Sequence, residues 1–67
     1  MDFVSVTHAP ADQQAIVYVH VDDDVGADYA HRSYTAEQYG ADYFDMAMAY
    51  ARGLAAPFGF AIEVDTL

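Results

Sequence analysis

The 67 residues carry eleven acids against two bases, Arg32 and Arg52, with no lysine and no cysteine, for a formal net charge of −9. That balance excludes disulfides and thiolate metal sites, and it opposes direct binding to nucleic acid or to anionic membranes, which require a cationic footprint. A hydrophobic content of 55% excludes a disordered acidic tail, so the chain reads as one folded, anionic domain near the lower size limit for a single core.

The opening "MDFVSVTHAP" has no basic region followed by an apolar run, so an intracellular protein without a signal peptide is expected. The longest uncharged stretch, Gly53 to Ile62, is too short to span a bilayer and contains Pro57. Alternation in "DFVSVTH" (Asp2 to His8) predicts a strand, "APADQQ" (Ala9 to Gln14) a hairpin loop, and "AIVYVHVD" (Ala15 to Asp22) a second strand. Pairing His8 with Ala15 sets Val6 opposite Val17 and Val4 opposite Val19, so four valines share one face. The other face then carries Phe3, Ser5, Thr7, Ile16, Tyr18 and His20.

"VDDDVGAD" (Val21 to Asp28) concentrates like charges that folding alone gives no reason to collect. Read as a calcium loop from Asp22, it fails: Gly26 falls at position 5, Ala27 at position 6 and Ser33 at position 12. "DYAHRSY" (Asp28 to Tyr34) fits a short third strand or a loop equally well. "TAEQ" at Thr35 to Gln38 has the form of a capping box, so a helix is expected from Ala36 to Ala56, ending before Pro57. "FGFAIEVDT" (Phe58 to Thr66) predicts a last strand with Phe60, Ile62 and Val64 inward.

Projected at about 100° per residue, the helix gathers Gly40, Phe44, Ala47, Met48, Ala51, Leu54 and Ala55 toward the sheet. Gln38, Asp42, Asp45 and Arg52 turn to water, and Tyr39, Tyr43, Met46 and Tyr50 form a flank between. The expected architecture is α+β: an antiparallel sheet of three or four strands with one long helix on one face. The last strand lies beside the first. Such a thin core is compatible with a monomer or with a homodimer formed through the tyrosine flank or the open sheet face.

No constellation of catalytic or metal-binding residues emerges. His8 and His20 fall on opposite faces, and Arg32 adjoins His31. His20 with Asp22 could form a histidine–carboxylate contact, but Ser5 is the only hydroxyl that the register brings near, and one serine is not a triad. No enzyme activity, metal or cofactor is expected. Tyr39 and Tyr43, spaced i, i+4 beside Asp42 and Asp45, are candidate interface anchors, because tyrosine buries area at small entropic cost.

An ordinary soluble surface mixes both signs of charge; this one almost eliminates the positive sign. A field of that kind attracts a basic groove and speeds encounter. In size, acidity, lack of cysteine and one-helix α+β pattern, the chain resembles the small phage- and mobile-element-encoded anti-CRISPR proteins that mimic DNA. That resemblance is one of type, loosely covering the whole chain, with no signature motif. It implies an inhibitor in the cytoplasm of a bacterial host that binds a basic nucleic-acid-binding complex, foremost a type I Cascade, and blocks recognition of target DNA or its PAM. Asp22, Asp23, Asp24 and Asp28 would engage the partner first, then Asp42 and Asp45, with Tyr39 and Tyr43 as anchors. Two other readings fit the composition: an antitoxin-like or regulatory protein-binding module, and a halophile's housekeeping domain in which acids replace lysines everywhere. Converting Asp22, Asp23 and Asp24 together to asparagine relieves mutual repulsion, so thermal unfolding followed by circular dichroism should show an unchanged or slightly raised midpoint. A lowered midpoint would mean that those carboxylates hold the fold together.

Overall fold

The computed structural model describes the backbone of residues 2–20 and 28–67 and the side chains of 2–20 and 32–67. Strand β1 (Phe3–Ala9) turns through a 3₁₀ segment (Pro10–Asp12) into β2 (Gln14–His20). Then follow β3 (Asp28–Thr35), a short helix α1 (Ala36–Tyr39), a 3₁₀ turn (Gly40–Asp42), the main helix α2 (Tyr43–Ala55), a third 3₁₀ turn (Ala56–Phe58) and β4 (Ala61–Thr66). The fold is α+β, a four-stranded sheet in the order β3-β2-β1-β4 with the helical segment on one face.

The hairpin register is the one the valine pattern demands: Val4 pairs with Val19, Val6 with Val17 and His8 with Ala15. Gln13 closes the turn with φ at 50°, and its carbonyl accepts the N–H of Ala36 at 3.0 Å, tying the start of the helix to the hairpin. Thr35 caps α1 as expected: its side-chain oxygen accepts from the N–H of Gln38 at 3.2 Å.

Residues 28–35 form a full strand, paired antiparallel with β2. This settles the ambiguous segment and overturns part of the expected sheet. An extra strand reverses the chain once more, so the helix returns it to the far end and β4 runs parallel to β1 instead of antiparallel. The sheet is therefore mixed. The helix also departs from one continuous rod. Gly40 has φ 74° and ψ −157°, which interrupts the helical path and leaves Gly40 exposed, not on the sheet-facing side. Pro57 sits inside the 3₁₀ turn after α2, and β4 begins at Ala61, three residues later than expected.

The core is made of small side chains. Val4, Val6 and Ala15 are fully buried, and Val17 nearly so. Against them α2 lays Tyr43, Ala47, Ala51 and Ala55, one residue per turn. The expected inward set is thus correct for the alanines, with Phe44, Met48 and Leu54 half-buried beside them. Gln38, Asp42, Asp45 and Arg52 face water as expected.

Two glycines separate the backbone and helix-propensity effects. At Gly40 a Cβ would meet no neighbour, but its dihedrals lie where only glycine is comfortable, so Gly40→Ala should cost about 1–3 kcal/mol. Gly53 lies within α2 with open space around it, so Gly53→Ala should stabilise by about 0.5–1 kcal/mol. Urea unfolding midpoints at unchanged m-value measure both; a neutral Gly40→Ala would refute the strained-turn account.

Candidate functional site

The charged residues sort by their position along the sheet. At the hairpin end, Asp12 lies in the β1–β2 turn, and Glu37 in the first turn of α1, on either side of the bond between Ala36 and Gln13. Asp42 and Asp45 follow at the start of α2, and Asp65 reaches the same end of β4, where it pairs with Thr7. All five are exposed. Glu37, Asp42 and Asp45 also complement the positive ends of their helical turns, which gives them a stabilising role of their own. Asp12 likewise falls in the first turn of its 3₁₀ segment, so of the five only Asp65, on β4, has no such helix-end role.

Asp28 lies at the other end of the sheet. It opens β3 and pairs with His20, six residues along β2 from the hairpin, a distance of about 20 Å. The sequence grouped Asp28 with Asp42 and Asp45 as one contacting set; along the sheet they divide. Asp22, Asp23 and Asp24 lie outside the described residues.

The tyrosine pair divides as well. Gly40 breaks the helical spacing between Tyr39 and Tyr43, so the two rings face different strands. Tyr43 turns inward, 9% exposed, and its hydroxyl shares a 2.8 Å hydrogen bond with His8 Nε2 at the end of β1. Phe44 stacks on the same imidazole at 4.1 Å. Tyr39 instead packs on Tyr34 of β3, ring centres 5.1 Å apart. Little of Tyr43 is left for a partner to touch; Tyr39 is half-buried and keeps an outer edge.

Neither arginine lies among the hairpin-end carboxylates. Arg52 is in the last turn of α2, and Arg32 pairs with Val17 in the middle of β3, on the helix side of the sheet. The Arg32 guanidinium sits 5.4 Å over the Tyr34 ring and 5.3 Å over the Tyr50 ring, a double cation–π contact on an exposed side chain. A hydrogen bond donated to Tyr39, and then the nearby Tyr34, push its pKa further up. Sequence reasoning missed this cluster because it depends on the β2–β3 register; once β3 is a strand, Val17 opposite Arg32 places the guanidinium beside the helix.

On the open face of the sheet, Ser5 Oγ and His20 Nε2 lie 2.8 Å apart, and Phe3 stacks on the imidazole at 4.3 Å. The sequence placed these three on one face, and the register makes Ser5 and His20 diagonal neighbours across β1 and β2. Ser5 is 7% exposed, so its hydroxyl, held at the edge of the imidazole, is not open to solvent. The geometry is that of a cross-strand polar lock. No cavity or cleft opens beside it among the described residues.

Burial pushes the Tyr34 phenol above the ordinary tyrosine range, with Arg32 partly offsetting. A pKa raised in the folded state contributes stability that is present below the ordinary value and lost as pH rises through the raised one. Unfolding midpoints should therefore fall in the alkaline range together with the rise in tyrosinate absorbance, and Tyr34→Phe should lessen that fall. An unaltered alkaline profile in Tyr34→Phe would show that the ring is not buried as described. Comparison of the chain with protein-family models, with curated proteins and with solved structures finds no match.

Proposed function

We propose that this chain is an acidic inhibitor that occupies a cationic nucleic-acid-binding groove of another protein, its carboxylates standing where phosphates would lie. The observation that carries the reading is the hairpin end, where Asp12, Glu37, Asp42, Asp45 and Asp65 project into solvent while Arg32 and Arg52 lie elsewhere. Such a surface releases the anions held by a basic groove, gains the entropy of their release and bars DNA sterically. Electrostatic attraction at this end speeds encounter, and the rigid tie between hairpin and helix start holds Asp12 and Glu37 in place without cost at binding. Within this class, the anti-CRISPR inhibitors of a type I Cascade, acting in the bacterial cytoplasm, are the reading that the resemblance in size and acidity favours. Asp28, at the far end of the sheet, would join the contact only if the groove runs at least about 20 Å.

A salt-adapted domain is the competing reading, favoured by the complete absence of lysine and by acids at both ends of the sheet. The two readings respond oppositely to salt. An inhibitor of this kind folds in dilute buffer and loses its partner as salt rises, whereas a halophilic domain unfolds when salt is withdrawn. The decisive measurement uses purified Cascade and asks whether target duplex DNA and the chain exclude one another. Mutual exclusion that weakens with salt is expected. Replacing Asp12, Glu37 and Asp42 by their amides should slow association about tenfold, while the melting temperature falls only by the small helix-end contribution of these carboxylates. Simultaneous binding of DNA and chain, or an association rate indifferent to the three amides, would end the proposal.

A further inference from the structure

Among the described residues, three of the four exposed large apolar side chains gather around β4, the fourth being Met46 on α2. Phe58 is 71% exposed, Val64 45% and Leu67 82%, and Phe58 stacks on Phe60 at 5.1 Å where the chain enters the strand. The cause is the position of α2, which lies over β1, β2 and β3 and reaches β4 least. Ile62 and Val64, side by side with the buried Val4 and Val6 on the helix face, are therefore left under a thin roof or none. Phe58 and Phe60 wall one end of this strip. On the opposite face of the same strand stand Glu63 and Asp65, both exposed.

β4 is an edge strand: among the described residues it has β1 on one side and no strand on the other. The Leu67 N–H donates to the His8 carbonyl at 2.9 Å. Strand N–H groups alternate direction residue by residue, so those of Ile62, Val64 and Thr66 point to the free edge. The edge thus offers three features together: backbone donors and acceptors, an apolar row on one face and a carboxylate row on the other.

We infer that β4 is a docking edge for an extended segment of another protein in which apolar residues alternate with lysine or arginine. Such a segment adds as a fifth strand, its apolar side chains beside Ile62 and Val64 and its cations beside Glu63 and Asp65. Charge selects this occupant over a second copy of the chain. In an antiparallel two-fold pair of β4 strands with near-complete overlap, Glu63 stands opposite the Glu63 or Asp65 of its mate, and like charges directly opposite are destabilising. A basic alternating strand converts both repulsions into attractions. The inference stands on the edge strand and does not require the hairpin-end reading, although both give the chain a basic protein as partner.

The test uses the full chain, isotopically labelled, and three blocked octapeptides: alternating lysine and valine, the same residues with all lysines before all valines, and alternating glutamate and valine. The lysine–valine alternation should shift and protect the amides of Ala61 to Thr66, and bind at least about tenfold more tightly than the other two. The double charge reversal E63K/D65K, at two exposed positions, should weaken that peptide about tenfold and favour the glutamate–valine peptide instead. Val64→Pro removes an edge-facing N–H and should abolish binding; its melting curve shows whether the fold survives, and E63K/D65K decides the matter if it does not. Equal binding of the block-ordered peptide, amide shifts at Asp12 and Glu37 instead of β4, indifference to charge reversal, or no binding would each overturn the inference. So would sedimentation as a dimer with β4 amides protected before any peptide is added. Failure of the peptides beside mutual exclusion of DNA and chain from Cascade would remove the docking edge and leave the proposed function standing.

Discussion

The structure depends on how closely one helix can approach the sheet. Ala47, Ala51 and Ala55 recur once per turn on the buried side of α2, and with side chains no larger than a methyl they let the helix backbone settle onto Val4, Val6 and Val17. Among the described residues no side chain larger than valine is fully buried. The cost of this thin core is area, because each buried alanine or valine removes less apolar surface from water than a leucine or phenylalanine would. The larger residues accordingly collect at the perimeter: Tyr43 and Phe44 around His8 at one side, Tyr34, Tyr39 and Tyr50 around Arg32 at the other. The rings act as a rim that seals the gap between helix and sheet.

That division explains why so few bases suffice. Among the described residues Arg32 serves as an aromatic clamp rather than as a partner for an acid, its charge spread over two tyrosine faces. Among the described residues, Asp12, Glu37, Asp42, Asp45, Glu63 and Asp65 are placed where repulsion among them is cheapest, at turns, helix starts and an exposed edge strand, surrounded by water. The fold pays little for its charge, and the field remains available outward.

Much of this was legible in the sequence. The hairpin could be read residue by residue because valine alternation and the loop residues agree on a single register, and a slip of one would have exposed four valines. The Thr35 cap and the alanine stripe were equally plain. The direction of β4 was not, for a reason that lies elsewhere in the chain: a strand pattern carries no polarity, so the orientation of β4 depends on how many reversals precede it. Residues 28–35 hold an edge strand whose alternation is weak, with Ala30 and Arg32 on the side a core residue would occupy. With that strand undecided, the antiparallel direction expected for β4 rested on one reversal too few. Gly40 was assigned by its angular position alone, which reports where a side chain would point in an unbroken helix and is silent about a backbone that leaves it. The separation of Tyr39 from Tyr43 follows from that one residue, and with it the loss of a shared tyrosine stripe. The neighbours of Arg32 required the β2–β3 register, and were hidden for the same reason as β4's direction.

The parallel seam between β1 and β4 joins the two segments of the sheet most distant along the chain, Phe3 beside Ala61 and His8 beside Thr66. Everything else in the sheet is built from neighbours in sequence, and α2 rests mainly on those three antiparallel strands. The loop-closure entropy of the seam falls due late, after the meander and its helix have something to dock against. The protein therefore has a natural order of assembly in which the fourth strand is the latch. Lifting that latch breaks one strand pairing and leaves the antiparallel pairings of the other three strands in place.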